Sequence, residues 1–166
     1  METWQAINTV RVVRQFADRP LAPEHLERIL HAGRRTASSK NQQRWAFIVC
    51  TEREHLRRLG KVGPYADHLA RAAAAVALLS PRGDDRWDLG RAAQNMVLAA
   101  WDDAIGSVPA TVYDHDVARR ELGHPEDWDC PYLLSFGYPA DQSVLSQPNR
   151  PGGRKTLEEV VHRERW

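Results

Sequence analysis

The stretch Ala92-Ala-Gln-Asn-Met-Val-Leu-Ala-Ala-Trp101 constrains this chain more than any other. It reads as a helix that is apolar on nearly every side. A helix of that pattern must be buried all round, inside a large core or between subunits. A chain of 166 residues has little room for a fully enclosed helix. The pattern therefore predicts a contact between two copies of the chain.

The length suits one compact domain, predicted over residues 1–166, and is too short for two ordinary ones. Hydrophobic residues make up 42% and charged residues 27%, a globular profile that argues against disorder. The net charge is only +1, too balanced for bulk electrostatic binding of nucleic acid. Residues 1–60 are more basic than the rest, so the first third is where an anionic ligand is expected. Two cysteines, Cys50 and Cys130, cannot build a disulfide framework or a four-cysteine zinc site. The seven histidines show no metal-ligand spacing, so no metal is expected. The opening Met-Glu-Thr-Trp lacks the basic and apolar regions of a signal peptide, and a cytoplasmic location is expected.

Pro23 and the spacing of Leu26, Ile29, Leu30 and Gly33 predict a helix over 23–35. Ala46–Cys50 and Ala74–Leu79 are short apolar runs that read as buried strands. Thr51-Glu-Arg-Glu54 resembles a capping box, opening a helix that Gly60 closes. Further strands are expected at Val108–Tyr113 and Leu133–Gly137, with a short helix over Asp116–Leu122 ending at Gly123. Residues 138–153 read as a polar loop or arm. Thr156-Leu-Glu-Glu159 is a second capping box, expected to open a helix running to Trp166. Helices interleaved with short strands give an α+β plan, a three-layer sandwich.

Three polar segments carry candidate chemistry. Arg11 and Arg14 lie three apart in Arg11-Val-Val-Arg14-Gln-Phe16, and two guanidinium forks suit one anion. Ser38-Ser-Lys-Asn-Gln-Gln-Arg-Trp45 joins a helix to a strand and offers hydroxyls, amides and cations together. Gly152-Gly-Arg-Lys155 precedes the last predicted helix, where backbone and cations could meet an anion.

These segments, with Gly90-Arg-Ala-Ala-Gln-Asn-Met-Val-Leu-Ala-Ala100, Ile105-Gly-Ser, Phe136-Gly-Tyr-Pro-Ala140 and Arg154–His162, occur in an order that resembles the nitroreductase family of flavoproteins. The resemblance spans nearly the whole chain. It implies a homodimer with a mixed sheet flanked by helices, and FMN sites at the subunit interface built from both chains. It also implies a C-terminal arm that wraps the partner. Arg14 matches the basic residue near the flavin pyrimidine edge, where a cation stabilises the charge of the reduced ring. Ser38, Ser39 and Asn41 match the loop lining the ribityl chain and ring. Pro109 and Ala110 match a segment whose backbone amides face the flavin nitrogen edge. Arg154, with Lys155 nearby, matches the phosphate grip.

The chain departs from the family at Val10-Arg11, where two arginines are usual, and at Val12, where serine is usual. Arg11 is then the residue left to take the phosphate contact. Arg44 replaces the proline of Gln-Pro-Trp, and the helix ends in Asp102-Asp103 where a neutral residue or His followed by Leu-Gly is more usual. A further flavin contact is expected between Gly63 and Leu69, with Tyr65 and His68 as candidates. The segment that usually covers the substrate is reduced. The resemblance implies an FMN-dependent oxidoreductase that moves hydride from NADH or NADPH to an acceptor such as a nitroaromatic or quinone. The alternative is a flavin-binding protein with little turnover, acting as carrier, sensor or scavenger. No residue stands out as a protein acid or base.

Overall fold

The computed structural model describes residues 1–148 and 153–166. In chain order the helices are α1 (Thr3–Thr9), α2 (Pro23–Arg34), α3 (Arg53–Leu59), α4 (Trp87–Asp102), α5 (His115–Leu122) and α6 (Leu157–Val160). The strands are β1 (Ala46–Cys50), β2 (Ala74–Pro81), β3 (Gly106–Thr111) and β4 (Trp128–Gly137), in sheet order β1-β2-β4-β3. Short 3-10 turns lie at Ser39–Asn41, Asp67–Arg71 and Gln142–Leu145.

The central strand β2 is buried on both faces, and this explains its unbroken apolar run. Ala75, Ala77 and Leu79 point into a core with Leu56 and Leu59 of α3, Ala118 of α5 and Leu133 of β4. Val76 and Leu78 point the other way, to Ile29 of α2 and to Leu89, Met96 and Ala100 of α4. The sheet is thus sandwiched between two helical layers, the expected three-layer α+β plan.

The strand ladders are all antiparallel. The parallel element of the expected mixed sheet is confined to an isolated bridge between Val12 and Ser107. That bridge begins a strap, residues 12–17, laid across the ends of β3 and β4. The Val13 amide donates to the Ser107 carbonyl at 3.0 Å and the Ala17 amide to the Tyr138 carbonyl at 2.8 Å. Phe16 bridges Pro139. Two glycines make room for the strap. A β-carbon on Gly106 would lie 2.5 Å from that of Val13, and one on Gly137 2.8 Å from the Phe16 ring.

Several expectations need correction. β1 is an edge strand: Ala46 and Val49 are exposed and only Cys50 is buried, because β1 has a neighbour on one side alone. The box at Thr51 does not form. Glu52 is the N-cap of α3, without a side-chain bond. The box at Thr156 does form, yet α6 stops at Val160 instead of reaching Trp166. Residues 153–166 are exposed, and a helix that buries no face has little to sustain it beyond one turn. α1 carries no capping signal and was not anticipated. Ala6 is buried, and the Trp101 indole donates to the Thr9 hydroxyl at 3.0 Å. α4 is only partly enclosed within one chain: Leu89, Ala92, Met96, Ala100 and Trp101 are buried, while Trp87, Gly90, Arg91, Gln94 and Asn95 are exposed.

Candidate functional site

The strap carries the first group of candidates. Val12 sits at the bridge to Ser107 and is 52% exposed, offering a methyl surface where a hydroxyl was usual. Arg11, just ahead of the strap, is half-buried and donates to the Gln147 carbonyl, which ties it to the loop or arm over residues 138–153. Arg14 is exposed. Within reach of its charge lies His68, 4% exposed, with Nδ1 2.7 Å from the hydroxyl of Ser135 on β4. The Nε2 atom of His68 is buried and makes no hydrogen bond. Burial holds the imidazole below its usual pKa and Arg14 adds to this, while Asp67 opposes it. A neutral histidine leaves Arg14 as the cation of this corner.

The strap brings these residues to the edge strand that carries Pro109 and Ala110. In an antiparallel edge strand, alternate residues turn their backbone groups toward the partner strand and away from it. The Ser107 carbonyl accepts from Val13, so it faces outward, whereas the Val112 amide donates to Pro131 and faces inward. Pro109 therefore faces the outer edge, where its missing N–H costs no ladder bond. Ala110 pairs with Leu133 and its side chain is buried. The expected pair of backbone amides at Pro109 and Ala110 is thus replaced: proline has none, and that of Ala110 turns toward β4. Beyond Pro109, the next outward amide on this edge belongs to Thr111. Its carbonyl would lie 2.9 Å from a β-carbon on Gly63, which confirms that its backbone faces away from β4. The sequence gave no cue to Thr111, because which residues face outward depends on the register with β4.

The second group forms its own loop at the start of α4. Lys40, Asn41 and Gln43 have positive φ values of 50°, 54° and 49°. Side chains rarely adopt this conformation, and a run of them is held only where surrounding contacts fix the backbone. Here the Ser38 hydroxyl accepts from the Gln43 amide at 2.8 Å. The Ser39 amide donates to the Asp88 carboxylate at 3.2 Å. Arg91 donates to the Ala37 carbonyl at 3.0 Å and pairs with Asp88. Ser39 and Asn41 are exposed, Ser38 half-buried.

Arg154 donates to the neighbouring Gly153 carbonyl, and both Arg154 and Lys155 are exposed. Gly152 lies outside the described residues. The described contacts therefore join the strap that carries Val12 and Arg14 to Ser107 at the start of β3, and tie Arg11 to Gln147. They join neither the Ser38–Asn41 loop nor Arg154 to that corner. Of the two extra candidates, His68 belongs to it, while Tyr65 is 78% exposed.

Guanidinium groups beside an open backbone edge suit a flat, nitrogen-rich ring bearing a phosphate, so the donor set of this corner fits the expected flavin. Other chemistries find less support. Cys50 and Cys130 are buried, and burial pushes their thiols up to about 11 and about 12, which makes them inert core residues. Among the described residues no cluster of His, Cys, Asp and Glu could hold a metal ion. No helix among them is long and apolar enough to cross a membrane.

Comparison with known proteins identifies the family and the fold. The nitroreductase family model matches residues 9–84 and 65–138. A protein of Archaeoglobus fulgidus named "Putative NADH dehydrogenase/NAD(P)H nitroreductase" is 32% identical over 176 residues, covering 99% of both chains. A solved structure of the same name from Bacteroides thetaiotaomicron superposes with a TM-score of 0.85 at 26% identity, covering 98% of this chain and 97% of the other. An FMN-dependent nitroreductase from Clostridium difficile R20291 shares the fold, with a TM-score of 0.83 at 22% identity and coverage of 95% and 97%.

Proposed function

Because the chain belongs to the nitroreductase family, we propose that it is an FMN-dependent oxidoreductase using NADH or NADPH and reducing a small acceptor such as a nitroaromatic or quinone. The observation that supports this reading is the strap, which is anchored on Ser107 at the start of β3 and carries Arg14 within electrostatic reach of the buried His68. FMN, when bound, supplies a two-electron carrier that takes hydride from the nicotinamide and returns the electrons to an acceptor. Arg14 would stabilise negative charge on the pyrimidine edge, and the outward backbone of Pro109–Thr111 would meet the ring nitrogens. Arg11, Arg154 and Lys155 would hold the phosphate. Ser38, Ser39 and Asn41 would line the ribityl chain and ring. The chain supplies orientation and charge, and protons come from water.

The assignment calls for a homodimer. The Ser38–Asn41 loop and Arg154 make no described contact with the Arg14 corner, so a partner chain could bring them there. The arm exposes Leu157, Val160, Val161 and Trp166, and α1 exposes Trp4 and Ile7. Such surface is costly to leave in water. Purified protein supplied with FMN should oxidise NADH or NADPH faster when menadione or nitrofurazone is added. Retained flavin without acceptor-dependent oxidation would instead favour the low-turnover binder.

A further inference from the structure

The cofactor assignment uses Arg14 for its charge and leaves the imidazole of His68 without a task. The two ring nitrogens differ. Nδ1 lies 2.7 Å from the Ser135 hydroxyl, a group that donates or accepts according to the proton its partner carries. Nε2 is buried and has no hydrogen-bond partner. Buried polar atoms seldom stay unpaired, and an orphan of this kind marks a place that something else completes. Ser135 is 0% and His68 4% exposed, so bulk water screens the pair little.

The charges around this ring have both signs. Asp67, beside it in the same 3-10 turn, favours the imidazolium, while Arg14 on the strap disfavours it. Arg71 closes the turn and is exposed. From α3 comes Arg53, which is engaged by Asp18 and the Ala70 carbonyl. The strands bring little: β2 and β3 contain no ionisable residue, and the one carboxylate of β4, Asp129, pairs with Arg82 and Arg86. Burial keeps the ring neutral, and a new negative charge near Arg14 would draw a proton to it. Flavin reduction supplies such a charge: a hydride brings two electrons and one proton, which leaves the ring one proton short of neutrality.

We propose that His68 is a redox-linked proton site. It is neutral while the flavin is oxidised, takes one proton from solvent when the ring is reduced, and releases it as the acceptor takes the hydride. The inference rests on the FMN-oxidoreductase reading and adds where the second proton of each electron pair is held. The balance closes: the nicotinamide loses a hydride, the ring gains it, and a solvent proton on His68 offsets the charge. The Ser135 hydroxyl serves both states by rotating, and accepts from Nδ1–H in the imidazolium. His68 acts through its charge alone.

The test uses the FMN-loaded protein with isotope-labelled histidine, titrated by NMR in the oxidised form and after anaerobic reduction with dithionite. The His68 signal, assigned by its loss in His68→Gln, should show a proton affinity roughly tenfold or more higher in the reduced form, the scale set by an opposite charge nearby. The flavin potential, followed against pH, should report about two protons per electron pair between the two His68 pKa values and about one above them. His68→Gln should bind one throughout. Ser135→Ala, which keeps the imidazole and loses the hydroxyl, should still show the second proton, at lower pH; it carries the same titration if His68→Gln does not fold. A His68 affinity that reduction leaves unchanged, or a proton count that neither variant alters, would overturn the proposal and leave the oxidoreductase reading intact. A parent protein that takes up no FMN defeats that reading itself, and the proton site with it.

Discussion

The side chain of Val13 occupies the space that a β-carbon on Gly106 would need, 2.5 Å away. This contact presses the strap against the start of β3 and so helps to set where Arg14 stands. Gly106→Ala should therefore cost about 1–3 kcal/mol through overpacking. It should also weaken FMN binding by displacing the strap. Thermal unfolding and flavin fluorescence titration check the two effects. A variant with unchanged flavin affinity would mean that the strap does not position the site.

Arg14→Ala should weaken FMN binding by roughly tenfold, the scale of one charge-assisted hydrogen bond. It should also lower the reduction potential of the bound flavin, since the reduced ring loses its compensating cation. Arg14→Lys should restore part of the potential. A potential that does not move would place Arg14 away from the ring.

His68 makes stability depend on pH. Its folded pKa is depressed, chiefly by burial, so the unfolded chain binds the proton more readily. Its contribution is fully present above the ordinary value of 6.5 and is lost as pH falls from there toward the lower folded value. The melting temperature should drop across that window, and His68→Gln should flatten the drop. Parallel curves for both proteins would show that His68 contributes nothing to this loss.

Positive φ at Lys40 is strained for any residue with a β-carbon. Lys40→Gly should relieve part of that strain, against the greater chain entropy that glycine loses on folding. The net gain should be up to about 1 kcal/mol. Calorimetry reads the sign directly, and clear destabilisation would show that Lys40 makes contacts outweighing its strain.

Removing residues 154–166 should leave a monomer by sedimentation and cut flavin retention, because the arm carries both exposed apolar surface and the phosphate candidates Arg154 and Lys155. A truncated protein that stays dimeric and keeps its flavin would contradict the proposed assembly.

Much of the layer plan was legible in the sequence, because it depends on local periodicity. Pro23 and the Leu26–Gly33 spacing mark α2, and an apolar run marks β2. Features set by distant contacts were not legible. α1 is held by the Trp101–Thr9 bond, 92 positions apart, and His68 meets Ser135 67 positions away. The two capping boxes show the same limit from another side. Thr156 forms its box, but with no core behind α6 the helix ends after one turn. At the site, ordered motifs located the strap and the polar loop. The outward amide of Thr111 appears only once the register of β3 on β4 is known.

The central claim is that this chain binds FMN and passes electrons from a nicotinamide through it. Its most direct test is the visible spectrum of the purified, FMN-supplied protein, recorded without oxygen before and after NADH or NADPH. The account predicts a bound flavin spectrum that bleaches with at least one nicotinamide and returns when an acceptor such as menadione is added. A protein that binds no flavin, or whose bound flavin neither nicotinamide bleaches, would contradict it.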